Sequence, residues 1–223
     1  MGQILREATV EEWTEFLFAR PVDEPAWYWE TDADRWEGSP ERTVELLAET
    51  FERSGELLEP FDDEQVGQGL WMIASSSGPD IVRPLLDEAV PWDLRKRALE
   101  SIFILFHDCF AVRCSNHLGH LEEPDSNPLN TSCYMWWDLF PLVPEPENPA
   151  LAERDGLILS IMARTLELPS AACQEAALHG LGEWERAYPE QVHEVVERFI
   201  WANRKIRPPL RHYAYAALHG DVP

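Results

Sequence analysis

Side chains that bind metals or act as nucleophiles are concentrated between positions 107 and 120. They are His107, Asp108, Cys109, Cys114, His117 and His120. On a helix, Cys114, His117 and His120 would follow one another at three-residue intervals, and Cys133 would supply a fourth ligand. Zinc needs three or four such donors at about 2.0 to 2.3 Å, but this spacing matches no established zinc module. We interpret the cysteines as buried packing residues and predict no metal or other cofactor, with these four residues as ligands in the alternative hypothesis.

A histidine and a carboxylate lie four residues apart, His179 and Glu183, a spacing that places both on one helix face. Such a pair can hold a geometry for proton transfer. The tetrapeptide Ala-Leu-His-Gly that contains His179 recurs around His219, at an offset of 40 residues. A residue that recurs with a structural period is more typical of packing than of catalysis. The sequence contains no nucleophile elbow, P-loop, zinc-protease or dinucleotide motif, so we predict that the protein is not an enzyme.

Aromatic rings alternate with carboxylates near the amino terminus. The six residues are Trp27, Trp29, Asp32, Asp34, Trp36 and Glu37. Tryptophan rings serve as buried anchors in interfaces, and carboxylates pair with Arg or Lys of a partner. We predict that these six residues bind a basic protein. A second interpretation, compatible with the first, is that the rings seal the open end of the fold.

The charge balance excludes two classes of partner. The 223 residues include 41 acidic and 18 basic ones, which give a net charge of −23. A chain this acidic is repelled by nucleic-acid phosphates and by anionic membranes, so we predict that it binds neither directly. The first 66 residues are the most acidic part, with 19 acidic and 5 basic residues.

Helix signals dominate the chain. Starts are predicted at Thr9 with Glu12, at Ser39-Pro40, near Asp62, at Asn148-Pro149, at Pro189 and at Pro208-Pro209. The longest helix is predicted from Trp92 to about Ala111, and the apolar segment 133–137 is predicted to form one or two helical turns. We find no convincing alternation of polar and apolar residues between hairpin turns, so the predicted class is all-α.

The repeated tetrapeptide gives the predicted architecture. A helix pair of about 40 residues separates the two copies, and the chain from residue 62 onward resembles HEAT-repeat proteins. The resemblance implies a short α-solenoid of antiparallel helix pairs with a concave surface for a partner. We predict an acidic N-terminal helical cap at 1–61 and a repeat region at 62–223. A Pro-rich insertion at about 116–149 interrupts the repeat region.

These features together predict a non-enzymatic binding protein, most concretely an inhibitor or immunity-type protein that recognises a basic protein. Two alternatives are a metal-binding protein or enzyme that uses the His107–Cys133 region, and an adaptor in a larger assembly. The first residues lack the basic and apolar regions of a signal peptide, and four cysteines are too few for a disulfide framework. We therefore expect reduced thiols and a cytoplasmic location.

Overall fold

Helices make up most of the protein, as the sequence predicts. The computed structural model describes residues 2–22, 24–75, 81–121, 123 and 127–223. The chain divides into two compact units. The first contains Met1–Cys109 and Leu139–Pro141, and the second contains Phe110–Asp138 and Leu142–Pro223.

The first unit is built from five helices in its described residues. They are α1 (Val10–Phe18), α2 (Pro40–Glu52), α3 (Ser54–Leu57), α4 (Asp63–Ala74) and α5 (Trp92–Leu105). Local capping explains where three of them begin. The side chain of Thr9 accepts a hydrogen bond from the main chain of Glu12, and the Glu12 side chain accepts one from Thr9 in return. Ser39 caps α2, and Asp62 with Gln65 forms a second capping box before α4. These helix starts are confirmed.

A short pair of parallel strands also lies in the first unit, and the sequence does not predict it. β1 (Ile4–Leu5) pairs with β2 (Arg35–Trp36), with Ile4 opposite Arg35 and Leu5 opposite Trp36. Each strand has only two residues, too few for polar and apolar positions to form a recognisable alternation. The pair holds the first residues of the chain beside the segment that follows Trp29.

The core of the first unit is the apolar face that its helices share. α1 packs against α2 and α4, and α2 packs against α5. Fully buried side chains from these helices include Trp13, Leu17, Leu47, Phe51, Leu70, Leu99 and Ile102. α1 and α4 lie on opposite sides of the predicted domain boundary at residue 61, and both belong to this unit.

The helices of the second unit begin after a π-helical turn at Phe106–Phe110. They are α6 (Ala111–Arg113), α7 (Leu129–Tyr134), α8 (Trp136–Leu139, whose last residue belongs to the first unit), α9 (Ala152–Thr165), α10 (Ala171–Trp184), α11 (Pro189–Ala202) and α12 (Pro208–Ala217). Asn148 caps a 3-10 turn that leads into α9, and Pro189 and Pro208 each occupy the first helical position. The helical turns predicted at 133–137 fall in α7 and α8.

Among the last four helices, α9 and α10 each pack against the two helices that follow them in the chain. α9 contacts α10 and α11, while α10 contacts α11 and α12. The predicted insertion at 116–149 is short helical turns and irregular segments in its described part, and residues 122 and 124–126 of it lie outside the described residues. None of the helices in the described ranges is long and apolar enough to cross a membrane.

The two copies of Ala-Leu-His-Gly are not structurally equivalent, although the sequence predicts a common structural period for His179 and His219. His179 and Gly180 lie inside α10, where a Cβ at Gly180 would come within 2.7 Å of the Trp137 ring. α12 has already ended when the chain reaches His219, which is exposed, and Gly220 has a left-handed φ of 64°. The first glycine allows close packing and the second allows a turn, so the match does not mark a structural period.

Candidate functional site

The three tryptophans of the predicted binding surface have different surroundings. Trp27 is only 7% exposed, and the guanidinium of Arg20 lies over its ring, 4.3 Å from the centroid. Trp36 is half-buried: its Nε1 donates to Oγ1 of Thr43 at 2.8 Å, and its ring meets that of Trp13 edge to face. Trp29 is 54% exposed. Trp27 and Trp36 therefore support the fold of the first unit, and Trp29 is the ring that faces solvent.

The three predicted carboxylates also differ in their contacts. Asp34 accepts hydrogen bonds from the main-chain N–H of Gln3 at 2.7 Å and from Arg20 at 2.9 Å, and these bonds lower its pKa. Glu37 pairs with Arg6 at 2.8 Å at the surface. Asp32 is exposed. Asp34 thus helps to hold the amino-terminal segment in place.

A cleft of about 520 Å³ lies beside α1 in the first unit and is lined by residues of β1 and α1 together with Asp34. Its carboxylates come from Glu7, Glu12, Glu15 and Asp34, and its guanidiniums from Arg6 and Arg20. Glu12 caps α1 and Asp34 pairs with Arg20, while Glu7 and Glu15 are exposed. We name this feature the acidic cleft. No local sequence pattern indicates this cleft, because its lining comes from three separate segments.

The predicted ligand set Cys114, His117, His120 and Cys133 does not converge on one point. The thiol of Cys133 contacts those of Cys114 and Cys173, whereas Nδ1 of His117 lies 2.8 Å from Oγ of Ser115. His107, in the first unit, pairs with its neighbour Asp108 at 2.6 Å. The structure brings two of the four candidates together, because the thiol of Cys133 contacts those of Cys114 and Cys173.

The cysteines differ in access, and this leads to a labelling prediction. All four are free thiols; Cys109, Cys133 and Cys173 are buried, and Cys114 is partly exposed. Burial, followed by the neighbouring thiols, raises the pKa of Cys133 well above its ordinary value. We expect a thiol reagent to label Cys114 first in the native protein and all four cysteines after denaturation, as measured by peptide mass spectrometry. Rapid native labelling of Cys133 would contradict this arrangement.

His120 belongs to a buried network around Glu175. Glu175 on α10 is 1% exposed and accepts hydrogen bonds from the main-chain N–H groups of Gly119 at 2.6 Å and His120 at 3.2 Å. Nδ1 of His120 makes a further short contact with the same carboxylate. The His120 ring packs against Tyr213 with a centroid distance of 4.6 Å. Glu175 therefore holds the turn at 119–121 against α10 and α12.

Two tyrosines continue this network to His179. The hydroxyl of Tyr213 lies 2.7 Å from Nδ1 of His179 and 3.2 Å from the hydroxyl of Tyr134. Burial is the largest of the effects that raise the pKa of Tyr213 well above its ordinary range. The other ring nitrogen of His179 faces Asp138, with Nε2 3.1 Å from Oδ2. The spacing of His179 and Glu183 predicts that they share one helix face, but nothing in the sequence indicates that Asp138 lies beside them.

Comparison with protein-family models, with curated proteins and with solved structures gives no match.

Proposed function

We propose that the protein is a non-enzymatic binding protein that recognises a basic protein partner, most concretely as an inhibitor or immunity-type protein. The observation that carries the proposal is the charge of the first unit. Met1–Cys109 contains 25 acidic and 9 basic residues. A basic partner is attracted to such a surface, which increases the rate of encounter and disfavours neutral or acidic competitors.

Five of the nine basic residues of the first unit are engaged within it, and an excess of carboxylates remains. Five arginines pair with carboxylates of the same unit: Arg6, Arg20, Arg42, Arg53 and Arg97. Each of these ion pairs offsets the positive charge of one arginine within the unit. The remaining carboxylates supply a field that an arginine- or lysine-rich surface complements.

The acidic cleft and Trp29 are the best candidates for direct contact. Exposed Glu7 and Glu15 in the cleft can pair with arginine or lysine side chains, and Ile4 beside them is 45% exposed. The ring of Trp29 offers a flat apolar surface on which a guanidinium can stack. We therefore narrow the proposed binding surface to Glu7, Glu15 and Trp29.

The finer architecture is part of the proposal. The packing of α9 with α11 and of α10 with α12 supports a short HEAT-like stack within the second unit, because neighbouring repeats of a solenoid contact one another in this alternating order. The four free thiols support a cytoplasmic location.

Capture experiments with paired variants test the proposal. The tagged full chain is incubated with lysate of its source at about 0.05 M salt and washed at about 0.5 M, which shortens the screening length from more than 10 Å to a few ångströms. We expect one basic protein to be retained at low salt and released at high salt. Glu7→Lys with Glu15→Lys should reduce its recovery more than about tenfold, since both changes place like charges against the partner.

A matched double variant separates the acidic cleft from overall charge. Glu190→Lys with Glu197→Lys alters net charge by the same amount on exposed positions of α11 in the second unit. Trp201→Ala, which removes a 72% exposed ring of that unit, is the control for Trp29→Ala. Equal losses in the cleft variant and in its control would contradict a specific site. Recovery of several unrelated proteins would favour the adaptor hypothesis instead.

A further inference from the structure

A buried histidine meets two carboxylates at the surface of the second unit. His179 on α10 is 2% exposed, while Asp138 on α8 and Glu183 on α10 are exposed. One donor atom from each lies within 4.8 Å of the others. In the described ranges, no other group of three or more histidine, cysteine and acidic side chains converges in this way.

The tyrosines beside His179 determine which of its ring nitrogens carries a proton. The Tyr134 hydroxyl donates to the main-chain oxygen of Pro223 at 3.3 Å, so its oxygen is available to accept from Tyr213 at 3.2 Å. Tyr213 then has no further proton to give, and it accepts the hydrogen bond from Nδ1–H of His179 at 2.7 Å. The imidazole is thereby left with its lone pair on Nε2.

That lone pair points to a missing positive charge. Nε2 is buried and makes no hydrogen bond, although Oδ2 of Asp138 lies only 3.1 Å away. Two acceptors at this distance repel each other, and an unpaired buried nitrogen costs free energy. This repulsion would also be relieved by a proton on Nε2, which pairs the imidazolium with Asp138. A cation bound by both groups would relieve it directly.

We propose that Asp138, His179 and Glu183 bind a divalent transition-metal ion of the zinc type. Donors around a tetrahedral zinc ion are about 3.3 Å apart, close to the separation of Nε2 and Oδ2. Glu183 is exposed, so its side chain can rotate to bring an oxygen into the same range. Imidazole nitrogen favours zinc over magnesium or calcium, and the bond from Nδ1–H to Tyr213 orients the ring as outer-shell partners of metal-bound histidines do. Three protein ligands leave a coordination position open to water.

Isothermal titration of the chelator-treated full chain with Zn²⁺ tests this site. We expect one ion per chain in the wild type and binding at least about tenfold weaker in Asp138→Asn and in Glu183→Gln. Both changes are at exposed side chains and preserve the fold, whereas a change at buried His179 removes its bond to Tyr213 as well. Mg²⁺ as the titrant should bind much more weakly than Zn²⁺.

His219→Ala is the matched control, because it removes an exposed histidine from the same tetrapeptide. It should bind Zn²⁺ like the wild type. A thermal unfolding scan gives a second measurement: Zn²⁺ should raise the unfolding temperature of the wild type and of His219→Ala by the same amount, and that of the two carboxylate variants by less.

Three results would overturn the site. They are the absence of Zn²⁺ binding by the wild type, unchanged binding in both carboxylate variants, and loss of binding in His219→Ala. A proton in place of the ion would appear in nitrogen-15 NMR as a doubly protonated His179 imidazolium that Zn²⁺ does not alter. The inference is independent of the proposed partner, because its variants lie in the second unit and its measurements use the metal alone.

Discussion

Replacing Asp155 by alanine should lower the free energy of unfolding by about 3 to 5 kcal/mol, the cost of breaking a buried ion pair. Asp155 on α9 is 0% exposed. Its Oδ1 accepts from Nε of Arg154 at 2.8 Å, and its Oδ2 accepts from the main-chain N–H of Glu145 at 2.8 Å and from the Tyr188 hydroxyl at 2.7 Å. Alanine leaves all three donors without this acceptor, and it leaves the Arg154 guanidinium, itself only 8% exposed, without its carboxylate.

The same carboxylate connects three parts of the second unit, which is why one substitution has so large an effect. It joins α9 to the end of the Pro-rich insertion at Glu145 and to the turn before α11 at Tyr188. Burial, followed by the hydrogen bond to Asp155, raises the pKa of Tyr188 to about 12, so the phenol stays a donor throughout the physiological range.

Urea unfolding followed by circular dichroism measures this loss. Glu197→Ala, an exposed change on α11, is the control and should alter stability by less than about 0.5 kcal/mol. An Asp155→Ala protein within about 1 kcal/mol of the wild type would mean that the buried network is absent in solution.

Replacing Glu175 by alanine should cost about 2 to 4 kcal/mol. The change removes the acceptor of the Gly119 and His120 main-chain N–H groups, and a buried donor without a partner costs about 1 to 3 kcal/mol. The stability of Glu175→Gln should lie between those of the wild type and Glu175→Ala. Its amide keeps one oxygen as an acceptor, but its NH₂ group is a donor and cannot bind these main-chain N–H groups.

Glu183→Gln is the matched control for Glu175 in urea unfolding, since it makes the same change at an exposed position two turns further along α10. We expect it to leave the stability of the metal-free protein within about 0.5 kcal/mol of the wild type. Equal stabilities for Glu175→Gln and Glu183→Gln would contradict the buried role of Glu175.

Local signals in the sequence predicted the helix starts because capping depends on residues close together in the chain. Thr9 with Glu12 and Ser39 with Pro40 are such signals, and both begin helices where expected. The pairing of Ile4 with Arg35 depends on a contact across 31 residues, which no local pattern encodes. The predicted helix from Trp92 also changes character, becoming π-helical at 106–110.

The candidate sites were less predictable than the helices, for two physical reasons. Residues of the same type differ in burial. Trp27 packs inside the first unit and Trp29 faces solvent, although both belong to the same alternation of aromatic and acidic residues in the sequence. Whether side chains far apart in the sequence come together depends on tertiary packing. Asp138 and His179 are 41 positions apart, and only the packed second unit brings their side chains together. The repeated tetrapeptide predicts a structural period, but its second copy begins at Ala217, the last residue of α12.

The most direct test of the proposed function is the salt dependence of binding to the captured and purified partner. We predict that the dissociation constant of the wild type rises at least about tenfold between about 0.05 M and 0.5 M salt, because screening weakens attraction to the acidic first unit. Glu7→Lys with Glu15→Lys should bind weakly at every salt concentration, while Glu190→Lys with Glu197→Lys should follow the wild type. A dissociation constant that does not change with salt, or that the cleft variant leaves unaltered, would contradict recognition of a basic partner through the first unit.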